Sequence, residues 1–157
     1  MNARLDLDMD NPLASKVVGQ LVAADRRLEQ SALPVTVREL IKIRASQING
    51  CGFCLDMHTK DAMAAGESVL RMTMVAAWSE ATVFTDAERA ALELTEQGTR
   101  IADGGEVSDA AWANAAQHFD TEQLPAIIAQ IAVINAFNTV NVISRRPMID
   151  YQPGQFG

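Results

Sequence analysis

Both cysteines of the chain and one of its two histidines fall within residues 48–58, Ile-Asn-Gly-Cys-Gly-Phe-Cys-Leu-Asp-Met-His. If Cys51 opens a helix, then Cys51, Cys54 and His58 stand at i, i+3 and i+7. At about 100° per residue they share one face within an arc of roughly 60°. Unpaired N–H groups and the positive end of the dipole at a helix start stabilise thiolates. An i, i+3 pair also lies within the Cα separation that a disulfide tolerates. One thiolate could attack a substrate and the other could close the product into a disulfide. His58 is one turn from Cys54, close enough to move protons to or from that sulfur.

Two other readings stay open on spacing alone. Cys51, Cys54 and His58 could be three zinc ligands, with Glu39 as a fourth if the fold brings it close; a structural zinc site wants four ligands, and there is no second cysteine pair. The thiols could also be a chance buried pair. Glu39 has Val35 and Ile43 at i−4 and i+4, so it borders an apolar stripe, and partial burial there predicts a raised pKa and a usable proton acceptor near neutrality. The plainer reading is a surface carboxylate paired with Lys42 at i+3.

These residues need helices to position them, and the sequence reads as helical throughout. Residues 12–30 carry Leu13, Val17, Leu21 and Leu28 at helical spacing after Asn11-Pro12. A second helix runs from Pro34 to about Gln47 and is broken by Asn49-Gly50. The third runs from Cys51 to Gly66 and the fourth from about Ser68 to Ser79. Thr85 with Glu88 forms a capping box opening a helix that stops at Asp103-Gly104-Gly105. Ser108 and Thr121 read as N-caps of two more, with Pro125 in the first turn of the last. No period-2 run, repeat or low-complexity linker interrupts the pattern. The expectation is one all-α domain over residues 1–157, a bundle of six to seven helices.

The chain has 48% hydrophobic and 21% charged residues and a formal net charge of −7. No basic stripe suits nucleic acid. The segment Leu124 to Ile143 is long enough to span a membrane, but Gln130, Asn135, Asn138 and Asn141 interrupt it, so a buried or interface helix is expected. The three asparagines form a ladder whose amides need partners, on a neighbouring helix or subunit or, as a sharper reading, in the active site. Residues 1–12, MNARLDLDMDNP, lack a basic stretch followed by an apolar run, which predicts a cytoplasmic protein without a signal peptide. Cysteines there are more often catalytic or metal-binding than structural. His118, Trp78 and Trp112 read as structural, and Arg145-Arg146 as cations complementing a helix C-terminus.

The stretch from Glu39 to Ala62, ELIKIRASQINGCGFCLDMHTKDA, resembles the core motif of the alkylhydroperoxidase D-like branch of the carboxymuconolactone decarboxylase family: a Glu, then Cys-x-x-Cys, then x-x-x-His. Glu39, Cys51, Cys54 and His58 match it position by position, and FTDAERAALELTE and NAFNTVN resemble helices that follow the core. The resemblance implies an all-helical trimer or hexamer that reduces hydroperoxides without metal, flavin or other cofactor. It implies electrons from a protein or small-thiol donor, in some members a lipoylated protein. Cys54 would be the peroxidatic thiol, Cys51 the more exposed resolving thiol, and Glu39 with His58 a proton relay. Phe53 departs from the pattern, since the best-studied peroxidases of this type carry histidine there. A cofactor-free decarboxylase is a poorer match, because a redox pair has no evident role in lactone decarboxylation. A non-catalytic or metal-bound helical oligomer is the other alternative.

Overall fold

The computed structural model describes residues 3–5 and 12–156, and among these it contains seven α-helices and no strand. They are α1 (Pro12–Glu29), α2 (Val35–Asn49), α3 (Gly52–Ala64), α4 (Val69–Met74), α5 (Asp86–Thr99), α6 (Asp109–His118) and α7 (Gln123–Ser144). Short 3-10 turns continue α4 to Ala77 and α5 to Asp103. The all-α expectation holds, and most boundaries lie where local chemistry put them. Gly50 ends α2 in the left-handed conformation, φ 66°, a conformation that glycine adopts without steric cost. Thr85 and Glu88 form the expected reciprocal capping box, and the Ser108 hydroxyl accepts from the Ala111 N–H. Thr121 does not cap α7. The Asp120 carboxylate does so instead, accepting from the N–H groups of Glu122 and Gln123, each at 2.8 Å.

Helix α2 is the axis of the molecule. It packs against α3, α5 and α7, and Val37 through Ile43 includes six buried residues. Val37, Ile41 and Ala45 join Ala90, Ala91, Ala111, Ala115, Ile127 and Ile134 in one core. Leu40 and Ile43 face a second, with Ala62, Met72, Val75, Phe84 and Leu92. The many alanines let helices approach closely. At Gly98 an added Cβ would lie 3.3 Å from the Ile131 side chain, so α5 meets α7 there through a glycine.

Helix α7 is long and apolar enough to cross a membrane by length and composition. Here Ile127, Ile134, Gln130, Asn138 and Asn141 are buried against the other helices. Ile127 and Ile134 are wholly used by the chain's own core, whereas Ile128, Val142 and Ile143 are the large exposed apolar residues of this helix. Trp78 is half-buried and donates to Glu96 at 2.9 Å, whereas Trp112 is exposed rather than core.

Candidate active site

The C-terminus of α2, the start of α3 and the last two turns of α7 meet around the two cysteines. Cys51 is the N-cap of α3 and not its first helical residue: its Sγ takes the place of a capping hydroxyl and accepts from the Cys54 N–H at 3.4 Å. The two sulfurs lie 2.7 Å apart as free thiols. Both are buried, 2% and 1% exposed, so Cys51 is no more exposed than Cys54.

The asparagine ladder closes the site from α7. Asn49 donates to the carbonyl oxygens of Asn135 (2.7 Å) and Asn138 (3.0 Å), and Asn138 donates to Ser46 at 3.1 Å. Asn141 donates to Cys54 Sγ at 3.2 Å. Two amides therefore lock α7 to α2, and the third reaches the thiols. Buried Asn141 Oδ1 has no hydrogen-bond partner among the described residues, so an acceptor stands bare beside the sulfurs.

Electrostatically the two thiols are unequal. Hydrogen bonds from the Cys54 thiol and N–H and from the Asn138 and Asn141 amides outweigh burial and lower Cys51 to about 7. Cys54 is pushed up by its bond to Cys51, by burial and by the charge on Cys51. The first proton thus leaves Cys51. In the reduced protein one thiolate per chain is expected to appear as pH rises through about 7, read by thiolate absorbance. Titration of both thiols at or above the free value of about 8.5 would contradict this.

Glu39 and His58 come together as the motif implies, with His58 Nδ1 3.2 Å from Glu39 Oε2, both side chains buried. Glu39 is not the raised-pKa carboxyl expected from its stripe. Burial pushes it up, but His58 and Lys42 more than offset this and hold it at about 2. Lys42 does pair with it at i+3, at 3.2 Å, but inside the protein rather than on its surface. Lys42 also contacts Asp25 of α1 at 3.4 Å, and Asp25 accepts from Gln130 of α7 at 2.9 Å. In this row of side chains, Asp25–Lys42–Glu39–His58, spacing offered the Glu39–Lys42 step and the family resemblance the Glu39–His58 step, while Asp25 had no signal in the sequence. The three residues weighed as zinc ligands do not converge: among the described residues no three His, Cys, Asp or Glu side chains are placed to hold an ion.

Cys54 and His58 line a cavity of about 430 Å³. Its walls are mainly apolar: Val18, Val22, Phe53, Met57, Phe137 and Phe156. The C-terminal segment forms one side, held by Tyr151, which donates to Asp61 at 2.8 Å, and by Arg26, which donates to the Phe156 carbonyl at 3.2 Å. Arg146 lies over the Phe53 ring, 4.6 Å from its centroid, and lines the same cavity. Sequence reasoning gave Arg146 no site role; only the turn after α7 brings it back over α3.

A sequence model of the carboxymuconolactone decarboxylase family matches residues 12–97, from α1 through α5 and across the whole motif. The chain belongs to the carboxymuconolactone decarboxylase family. It is 41% identical over 118 residues to the uncharacterized protein YdfG of Bacillus subtilis, covering 75% of this chain and 80% of that one. It is 32% identical over 107 residues to the uncharacterized protein YnjA of Escherichia coli, covering 68% of this chain and 58% of that one. Among solved structures, a protein of unknown function from Agrobacterium tumefaciens, suggested to be the antioxidant defence protein AhpD, superposes with a TM-score of 0.87. It is 31% identical, and the match covers 96% of this chain and 100% of that one. The debrominase Bmp8 shares the fold alone, with a TM-score of 0.76, 18% identity, and 89% of this chain matched to 73% of that one. The likeness to the Agrobacterium tumefaciens protein places the chain in the AhpD-like branch of the family.

Proposed function

We propose that the protein is a thiol-dependent peroxidase that reduces organic hydroperoxides and closes a Cys51–Cys54 disulfide. The observation that carries this is the pair of sulfurs 2.7 Å apart, one of which, Cys54, lines an apolar cavity that His58 also lines. The Cys51 thiolate takes the Cys54 proton across that short distance, and Cys54 attacks the outer peroxide oxygen. An S–O bond forms, the O–O bond breaks, and the alkoxide leaves with a proton, giving the alcohol. With Nδ1 turned to ionised Glu39, His58 offers Nε2 as the atom that passes protons. Asn141 Oδ1 is free to accept from the hydroperoxide O–H. Cys51, again a thiolate, then attacks Cys54 Sγ and expels hydroxide, which leaves as water once protonated. A protein or small-thiol donor returns two electrons; the reaction calls for no metal, flavin or other cofactor.

The test is a free-thiol count before and after one equivalent of a small alkyl hydroperoxide. Both thiols should disappear while the intact mass falls by two hydrogens. Retention of both thiols with every hydroperoxide tried would remove the peroxidase reading and favour disulfide exchange.

We also propose a trimer or hexamer, built by residues the chain leaves uncovered. Leu13, Val69, Leu70 and Ile143 are each about 60–70% exposed. Light scattering at micromolar concentration should give a trimer or larger, and a monomer would contradict it.

A further inference from the structure

After α7 the chain forms no further helix among the described residues, yet residues 151–156 are held firmly beside the apolar cavity. Tyr151 is 3% exposed, and its hydroxyl lies 2.8 and 3.0 Å from the two carboxylate oxygens of Asp61 on α3. The Gly154 N–H donates to that hydroxyl at 3.1 Å and to Asp61 at 3.3 Å. Gly154 has φ 77°, a conformation that glycine takes without steric cost. The turn carries Phe156 back onto Tyr151, with the rings stacked and their centroids 5.5 Å apart. Arg26 of α1 holds the Phe156 carbonyl at 3.2 Å. A ring placed only to anchor the segment would be covered, as Tyr151 is. Phe156 is instead 42% exposed, and it lines the cavity that Cys54 and His58 line. An apolar ring left uncovered beside a reactive sulfur has surface to give to a ligand.

We infer that Phe156 is a specificity-determining residue of this cavity and that, with Phe53 and Phe137, it selects hydroperoxides carrying an aromatic ring close to the O–O bond. This rests on the reading of Cys54 as the sulfur that hydroperoxide oxidises. Three of the chain's five phenylalanines line this one cavity, together with Met57. Aromatic rings offer face and edge contacts to another ring, and a thioether sulfur packs well against one. With the peroxide oxygens at Cys54, the organic group of the substrate extends among these side chains. Hydrogen peroxide has no such group to place. The exposed lining residues Arg26, Glu29 and Gln155 are polar. A long aliphatic chain reaching out of the cavity therefore meets charge, whereas a single ring stays among apolar walls. Tyr151 acts through Phe156, as a positioning residue that fixes the turn.

The experiment mixes reduced protein with excess cumene hydroperoxide or hydrogen peroxide and follows thiol loss in wild type, Phe156→Ala, Phe156→Leu and Tyr151→Phe. Phe156→Ala should lower the ratio of the cumene hydroperoxide rate constant to that of hydrogen peroxide roughly fivefold to tenfold, the scale of losing about half a ring's contact area. The fall should come from weaker saturation, with the limiting rate and the hydrogen peroxide rate unchanged. Phe156→Leu should keep part of the ratio. Tyr151→Phe should lower it roughly twofold to threefold, the lower end for one lost hydrogen bond. Binding of 2-phenyl-2-propanol, the alcohol product, followed by ligand-observed NMR, should weaken in Phe156→Ala by the same factor as cumene hydroperoxide saturation. An equal fall with both peroxides would reduce Phe156 to a support of the fold and overturn the role. Thiol loss with an unmoved ratio and unmoved alcohol binding leaves the peroxidase reading standing and sinks the selection by Phe156. Weaker alcohol binding in Phe156→Ala, in protein inert to every hydroperoxide, does the reverse: the aromatic site stands and the peroxidase reading falls.

Discussion

Cys54→Ser is expected to abolish the fast reaction with hydroperoxide, whereas Cys51→Ser reacts once and stalls. The reason is position rather than acidity. Cys51 holds the first negative charge, but Cys54 is the sulfur on the wall of the apolar cavity, where His58 also stands. In the resting pair the Cys51 charge and the hydrogen bond to it are what keep Cys54 protonated, along with burial. Removing Cys51 relieves both the charge and the bond, so Cys54 can still ionise and be oxidised to a sulfenic acid, now without a partner to condense with. Peptide mapping after one peroxide addition, with a sulfenic-acid trap present, should place the label on Cys54 in Cys51→Ser. Label on Cys51 in Cys54→Ser at the wild-type rate would reverse the two roles.

Glu39→Gln should slow that first oxidation by about 10²–10⁴-fold, the usual scale for lost acid–base help. His58 would keep its place in α3 but lose the buried anion 3.2 Å from Nδ1. The same substitution should flatten the acid side of the stability curve. Glu39 is held at about 2 against an ordinary 4.5. Its contribution is therefore fully present above about pH 4.5 and is lost as pH falls towards 2, on the order of 3 kcal/mol. Denaturant unfolding of wild type and Glu39→Gln across that window measures it. A wild-type-like rate in the variant, or parallel pH dependences, would remove Glu39 from the relay.

Much of this protein is determined locally, and that part is legible in the sequence. Helical periodicity, the Asn49-Gly50 break and the Thr85–Glu88 capping box specify elements through interactions only a few residues long, and the structure follows them. The Cys51, Cys54 and His58 spacing is likewise local, because helix geometry alone puts them on one side. The cap of α7 needed coordinates: Asp120, and not Thr121 as the sequence suggested, has the carboxylate that reaches two N–H groups.

Only tertiary packing decided the electrostatics. Glu39 looked like a carboxyl that burial would neutralise. Asp25 of α1 and Lys42 of α2 arrive with His58 of α3 to make its surroundings a charge network, and the sign of the shift reverses. The asparagine ladder presented one sequence pattern and found two uses, because a 22-residue helix passes first along α2 and then over the start of α3. Arg145 and Arg146 follow a helix end, which local reasoning satisfies with a dipole. The left-handed turn at Arg145 sends the chain back across Phe53 and brings Arg146 to the wall of the apolar cavity. A residue's type and spacing fix what chemistry it can do; which charges face it, and which cavity it opens onto, depend on chain segments up to about a hundred residues away.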